Sequence, residues 1–200
     1  MKLFISFCSQ QENLLRFHYE SQGNQRLEYG ETAFPILPVI NGYCTPGEEI
    51  RMVLIVQDHP FCHRNVETFR KDFDALCTEK GLICIGIEEI SVPFDDAVST
   101  HIATFQKLID VIHDGDDIHA CITYGSKPSP MVELMALRYA RQIKKNTYIS
   151  CIAYGQVNFR TKEAKIYDET ALAHLDDIVR ILAERNDPDP KRTLDHLISM

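Results

Sequence analysis

Short apolar runs alternate with longer amphipathic stretches along most of this chain, which is the pattern of an α/β protein. The apolar runs predict strands over residues 2–8, 51–57, 82–90, 118–124, 147–154 and 160–167. Apolar positions at helical spacing predict helices over residues 66–80, 95–113, 129–144 and 172–185. In the second of these helices the predicted apolar side includes Val98 and Ile102.

Two segments before residue 51 give weaker patterns. Residues 13–20 are expected to form a strand, closing a hairpin-like excursion through residues 21–24. In residues 34–44, Pro35 and Pro38 argue against a long helix, and Asn41-Gly42 is a turn signal.

Strands that alternate with helices of this length predict a Rossmann-like α/β fold, with a mostly parallel central sheet and helices on both faces. Ligands of such sheets bind at the carboxyl ends of the strands. Three polar segments directly follow predicted strands and are expected at that edge: Cys8-Ser9-Gln10, Gln57-Asp58-His59 and Tyr124-Gly125-Ser126-Lys127.

The length of 200 residues suits one domain, which we expect to span residues 1–185. Residues 186–190 have the composition of a linker, and residues 191–200 are predicted to begin another helix or a C-terminal effector domain.

Composition and charge narrow the function classes. A net charge of −8 argues against a surface that binds long nucleic acid, because phosphate neutralisation dominates such affinity. It leaves room for a small anionic ligand in a locally basic pocket. No apolar run approaches the roughly 20 residues that a membrane-spanning helix needs, and the N-terminus has no signal cleavage site. We therefore expect a cytoplasmic protein that binds no membrane.

Seven cysteines form an odd number and include no C-x-x-C pair, which is typical of a reduced compartment. The segment His59-Pro60-Phe61-Cys62-His63 holds three possible metal ligands but has no second pair at a suitable spacing, and a loop is the preferred interpretation. The carboxylates at Asp95-Asp96 and at residues 114–117 are expected to cap helices and turns. The sequence predicts no metal, no cofactor and no catalytic residue.

Residues 121–131 carry the strongest chemical signal. An apolar strand passes through a short loop into an apolar-periodic helix, and the loop contains Gly125, Ser126 and Lys127. Such a junction directs backbone N–H groups, the helix dipole and here an ammonium group to one place, so an anion, most plausibly a phosphate, is expected there. The spacer of a P-loop and the G-x-G-x-x-G fingerprint are both missing.

The segment Thr123-Tyr124-Gly125-Ser126-Lys127-Pro128, followed by Met131 and an apolar helix, resembles a loop of CRISPR-associated Rossmann-fold (CARF) sensor domains. That loop is T-G-G-T-K-x-M or T-H-G-x-R-x-x-P. Tyr124 replaces the first Gly or the His, and Met131 lies one residue later than in the first version. The order of elements over residues 1–185 is also CARF-like.

The resemblance implies a homodimeric sensor that binds cyclic oligoadenylate, cA4 or cA6, beside its two-fold axis and controls an effector allosterically in type III CRISPR antiviral defence. Gly125, Ser126 and Lys127 would contact phosphate or ribose, and Thr123 and Tyr124 would belong to the same loop. The pocket would be lined by Ser9 and Gln10, with Asp58 and His59 as weaker candidates for adenine contacts.

Two other functions stay open at this point. A ring nuclease that degrades cyclic oligoadenylate would use the same pocket, so activity as an enzyme is undecided. A Rossmann-like protein that binds another nucleotide is the third possibility. The sequence allows a sensor that acts alone or the sensor part of a longer effector, and the tail at residues 194–200 favours the second of these.

Overall fold

A computed structural model of the chain describes residues 1–199, which form a single eight-stranded sheet flanked by six α-helices. The strands are β1 (Lys2–Phe7), β2 (Phe17–Gln22), β3 (Glu31–Thr32), β4 (Glu49–Gln57), β5 (Ile83–Val92), β6 (Asp117–Cys121), β7 (Tyr148–Asn158) and β8 (Glu163–Asp168). The helices are α1 (Ile36–Tyr43), α2 (Pro60–Lys80), α3 (Val98–Val111), α4 (Ser129–Ile143), α5 (Thr170–Glu184) and α6 (Pro190–Ile198). The predicted Rossmann-like class is confirmed.

The strand order is β3-β2-β8-β7-β6-β1-β4-β5. The five strands from β7 to β5 in this order are parallel, and β8 is antiparallel to β7. After β1 the chain first forms β2 and β3 at the far edge of the sheet. It then adds β4 and β5 on one side of β1 and returns to β6 on the other side. The point where the direction of winding reverses therefore lies between β1 and β6, and we call it the switch point.

Alternation along the strands divides the core between the two faces of the sheet. Phe4 and Met52 pack with Phe69 of α2 on one face. Ile5 and Val53 pack on the other face with the residues that α3 and α4 bury. Helices cover both faces of the parallel strands, because these strands carry apolar side chains on both sides and neither face could be exposed to water.

The segment before residue 51 differs from its prediction. The strand predicted at residues 13–20 is found at Phe17–Gln22, and it pairs in parallel with β8. The predicted turn at residues 21–24 is misplaced, because Ser21 and Gln22 belong to the strand itself. Strand β2 lies four positions from β1 in the sheet order, and its antiparallel partner is the next strand in the chain, β3.

The segment at residues 34–44 forms helix α1, so the turn predicted at Asn41-Gly42 is wrong. Pro38 lies in the first helical turn, where a backbone N–H has no partner within the helix. Gly42 is required for another reason: a Cβ there would lie 1.8 Å from the carbonyl oxygen of Arg26.

Helix α2 begins six residues earlier than predicted, so the loop interpretation of residues 59–63 is wrong. His59 is the N-cap, and its Nδ1 accepts a hydrogen bond from the Phe61 N–H at 3.3 Å. The left-handed Gly81 (φ +66°) ends the helix as predicted.

The carboxylates expected to cap helices and turns accept hydrogen bonds in turns, but none caps α3, whose N-cap residue Ala97 has no side-chain hydrogen bond to the helix. Asp95 accepts from the N–H of Ala97 at 2.9 Å, and Asp114 accepts from the N–H of Lys145 at 3.0 Å. Asp116 also forms a buried ion pair with Arg51 at 2.7 Å. Within residues 1–199 no helix has both the length and the apolar character needed to cross a bilayer.

Candidate anion-binding site at the switch point

The loop between β6 and α4 leaves the sheet at the carboxyl edge, directly at the switch point. It spans residues 122–128 and is anchored at its start by the Ile122 N–H, which donates to the Ala153 carbonyl at 2.9 Å. Gly125 adopts φ +103°, a conformation that side chains with a Cβ rarely take. The loop therefore reverses tightly before Pro128 and Ser129 begin the helix.

Ser129 organises the interior of this loop. Its buried hydroxyl accepts the Ser126 N–H at 3.0 Å and lies 3.2 Å from the Ser126 hydroxyl, while its own N–H donates to the Ser126 carbonyl at 2.9 Å. The N–H groups of Met131 and Val132 donate to the Pro128 carbonyl. The donors at the start of α4 are thus used within the protein.

The donors that remain belong to the loop itself. Among residues 1–199, the N–H groups of Thr123, Tyr124, Gly125 and Lys127 donate to no oxygen atom of the protein, and those of Gly125 and Lys127 flank Ser126. Lys127 is exposed, and Ser126 is half-buried. Two unpaired N–H groups, a hydroxyl and an ammonium group are therefore available together for an anion.

Hydrogen bonds of the Thr123 and Tyr124 side chains attach the loop to the rest of the protein. The Thr123 hydroxyl accepts the Gly155 N–H of β7 at 2.7 Å, which holds the loop against the sheet. The Tyr124 hydroxyl donates to the Ala33 carbonyl at 2.5 Å, and burial raises the pKa of this phenol well above its ordinary value. Both hydroxyl groups already form hydrogen bonds within the protein. They therefore hold the loop in its conformation.

The segment after β1 reaches the same edge. Ser9 is fully buried, and its hydroxyl accepts the Gln11 N–H at 3.2 Å. Asn65 of α2 donates to the carbonyls of Ser9 and Gln11, both at 2.9 Å. The Gln10 side chain is only half-buried. Of the two predicted residues Ser9 and Gln10, Gln10 is therefore the more accessible to a ligand.

The segment after β4 lies beside it, because β1 and β4 are parallel neighbours. Asp58 is exposed, with its carboxylate 3.0 Å from Nε2 of His63, which is also exposed. His59 is half-buried, and its ring centroid lies 4.6 Å from that of Phe94 in the loop after β5. The Asp58 N–H donates to the Val92 carbonyl at 2.8 Å and ties the two loops together.

A narrow crevice with an accessible volume of only about 10 Å³ runs between these segments and the start of α3. It is lined by residues that include Gln57, Asp95, Thr100, His101, Ser126 and Ser129. Gln57 accepts a hydrogen bond from the Gln10 amide, and His101 has a buried Nε2 with no hydrogen-bond partner among the described residues. The crevice is therefore lined both by the predicted loop and by side chains that were not predicted as ligand-binding residues.

Sequence reasoning missed His101 and Ser129 as members of this site, and it placed Gln57 at this edge without naming it as a ligand-binding residue. One signal was available for Gln57, because it is the polar residue that closes an otherwise apolar strand. His101 carried no such signal, since its place depends on how α3 packs beside β5 and α4.

The charge at this edge is mixed. Lys127 is accompanied by the carboxylates of Asp58 and Asp95. Hydrogen bonds from Thr100 and the Ala97 N–H lower the pKa of Asp95, so this group is ionised at neutral pH. An anion is therefore expected to approach along the Gly125–Lys127 side of the crevice and to avoid the α3 side.

Glu133 lies one helical turn beyond Ser129 and is completely buried. Neither carboxylate oxygen has a hydrogen-bond partner within the described part of the chain. Burial raises the pKa of this carboxyl group well above its ordinary value, because the ionised form would lose its hydration. Burial therefore favours the protonated form of this carboxyl group.

No group of three or more His, Cys, Asp or Glu side chains in residues 1–199 is arranged to hold a metal ion. In comparisons with known proteins, no family model and no curated protein sequence matches this chain. The CARF resemblance therefore stays a prediction based on the residues of the loop.

Proposed function

We propose that this chain is a cyclic oligoadenylate sensor of the CARF type. The observation that carries the proposal is the loop at the switch point, where Lys127 stands beside the unpaired N–H groups of Gly125 and Lys127 and the Ser126 hydroxyl. Backbone N–H groups and an ammonium group are the usual partners of phosphate. Their place at the carboxyl edge is where Rossmann-like folds bind nucleotides.

An uncharged surface beside this loop supports the homodimer. Exposed positions of α3 between residues 98 and 106, and of α4 between residues 131 and 143, carry no charge: Val98, Ser99, Ile102, Ala103, Gln106, Met131, Met135, Tyr139, Gln142 and Ile143. Val98 and Ile102 were expected on a buried side, yet they are 72% and 54% exposed. We call this surface the α3–α4 face.

The α3–α4 face suits a second copy of the chain. A ring contact between Phe105 and Tyr139, with centroids 6.0 Å apart, joins its two helices. The charged residues Arg138 and Arg141 of α4 instead form ion pairs with Asp176 and Asp177 of α5. Two such faces can pack without burying a charge, and the face continues to Met131, four residues after the Lys127 ammonium group.

A ligand that bridges two protomers can act allosterically, because it favours the relative orientation in which both halves of the site bind it. An effector attached to the sensor, or a separate one, would respond to that orientation. We place the sensor in the cytoplasm, which agrees with seven cysteines that are all free thiols.

Calorimetric titration with cA4 and with cA6 tests the proposal. We expect binding of at least one ring, with an affinity that falls about tenfold or more in Lys127→Ala, because a charge-assisted hydrogen bond is lost. The control is Lys71→Ala on the exposed side of α2, which should bind as the wild type does. Equal affinities of wild type and Lys127→Ala would contradict the proposal.

A ring nuclease is the second candidate, and His101 is the observation that favours it. An imidazole with an unpaired Nε2 shares the crevice with Ser126, and it would accept the proton of a ribose 2′-hydroxyl that attacks its own phosphate. The bond from phosphorus to the 5′-oxygen then breaks, and the imidazolium returns a proton to that oxygen. Chromatography of the ligand recovered from the same titrations distinguishes the two functions. A sensor returns the intact ring, whereas a nuclease returns linear or 2′,3′-cyclic products.

Binding of another nucleotide is the third candidate. A thermal-shift panel of nucleotides tests it, since a ligand at a hundred times its Kd stabilises the folded state by about 2.7 kcal/mol. A shift with a mononucleotide and none with cA4 or cA6 would favour it over both CARF functions.

A further inference from the structure

An exposed aromatic ring lies beside the crevice. Phe94, in the loop between β5 and α3, leaves 51% of its surface exposed. Its chain neighbours Pro93 and Asp95 line the crevice together with Ser126, whereas Phe94 itself is outside the lining. The ring therefore lies next to the crevice at the carboxyl edge of the sheet, with its free surface open to solvent.

The Phe94 ring packs against the imidazole ring of His59. The two ring centroids are 4.6 Å apart with an interplanar angle of 54°, and His59 also contacts Phe61 at 5.2 Å. Because Nδ1 of His59 accepts the Phe61 N–H, the imidazole is fixed in orientation by the first turn of α2. The Asp58 N–H bond to Val92 keeps the two loops at a constant separation.

We infer that Phe94, oriented by His59, is a stacking platform for a nucleobase of the bound ligand. The free area of an aromatic ring stacks on any base, whereas the phosphate groups of the same ligand need the N–H and ammonium donors of the candidate loop. The inference deepens the proposed function and rests on it, because it assigns the base-contacting part of the same site.

The chain contains no tryptophan, so Phe94→Trp introduces a single emitter at the platform. We expect its fluorescence to be quenched on titration with the ring, cA4 or cA6, that the wild type binds. The control is Phe159→Trp in the β7–β8 turn, where the native ring is 58% exposed and lies away from the crevice lining. Quenching confined to the Phe94→Trp variant supports the platform, and equal quenching in both variants overturns it.

Affinity gives an independent measure. Phe94→Ala should weaken binding of that ring by about tenfold, Phe94→Tyr should restore it, and Phe94→Leu should not, because only an aromatic face stacks. Wild-type affinity in Phe94→Ala would overturn the inference while leaving the Lys127-dependent proposal intact.

A failure of the proposed function can also be distinguished from a failure of the stacking platform. If the wild type binds neither ring, adenosine 5′-monophosphate and ribose 5-phosphate are titrated against Phe94→Trp. Quenching by the former alone supports a nucleobase platform without a cyclic oligoadenylate sensor. Absence of quenching with both compounds overturns the platform as well.

Discussion

Gly125 and Ser129 approach so closely that the loop has no room for a side chain at position 125. A Cβ added to Gly125 would lie 2.6 Å from the Ser129 Cβ and 2.7 Å from its hydroxyl oxygen, with a Phe7 ring carbon at 3.2 Å. This approach is what lets the Ser129 hydroxyl accept the Ser126 N–H. The conformation of the candidate site therefore depends on one glycine.

Gly125→Ala should destabilise the protein and abolish ligand binding together. The positive φ of +103° costs an alanine about 1–2 kcal/mol, and the collision with Ser129 adds overpacking strain of about 1–3 kcal/mol. We expect a loss of about 2–5 kcal/mol in the free energy of unfolding, measured by urea denaturation.

Gly115→Ala is the matched control for this change. Gly115 has φ +82°, yet an added Cβ would meet no atom within 4 Å. The control therefore reports the backbone cost alone, about 1–2 kcal/mol. Equal destabilisation of the two variants would show that the contact with Ser129 does not constrain the loop.

Met135→Glu tests the α3–α4 face. Met135 is 53% exposed in the middle of α4, so a glutamate there should leave the fold intact. In a dimer built on this face, the glutamate would be buried between the protomers, where no opposite charge is present to pair with it. We expect sedimentation velocity to show a dimer for the wild type and a monomer for the variant at the same concentration.

Leu15→Glu provides the comparison, because Leu15 is 51% exposed in the segment before β2 and lies outside the α3–α4 face. It should sediment as the wild type does. A wild type that is monomeric with and without cA4 or cA6 would remove the dimer from the proposed function.

The central part of the fold could be predicted because its signals are local. Strands β1, β4 and β6 are buried on both faces, so they appear as continuous apolar runs, and α4 follows with a clear helical period. Their shared carboxyl edge follows from parallel pairing, which the register of β1 with both neighbours confirms.

The remainder depends on contacts between distant residues. Strand β2 buries only Tyr19, so nothing in its sequence indicates that it pairs with β8. Gly42 indicated a turn, although its real role is close contact with Arg26. Likewise the free N–H groups of the candidate loop could not be counted from the sequence, because the Ser129 hydroxyl takes one of them.

Glu133→Gln should change how stability depends on pH. The folded protein raises the pKa of Glu133 above the ordinary value of 4.5, whereas the unfolded chain does not. Above pH 4.5 the unfolded state loses this proton and the folded state retains it, so wild-type stability falls as pH rises towards the folded pKa. The slope from this one group is about 1.4 kcal/mol per pH unit.

The glutamine variant lacks that slope, so its stability relative to the wild type in urea denaturation should rise as the pH increases above 5 and should level off once the pH passes the folded-state pKa of Glu133. Any constant offset from burying an amide is the same at every pH and does not affect the comparison. Glu67→Gln, on the exposed side of α2, should keep the wild-type pH profile. Parallel profiles for wild type and Glu133→Gln would mean that the Glu133 carboxyl has an ordinary pKa, through hydration or a partner, and is not a neutral group buried beneath the loop.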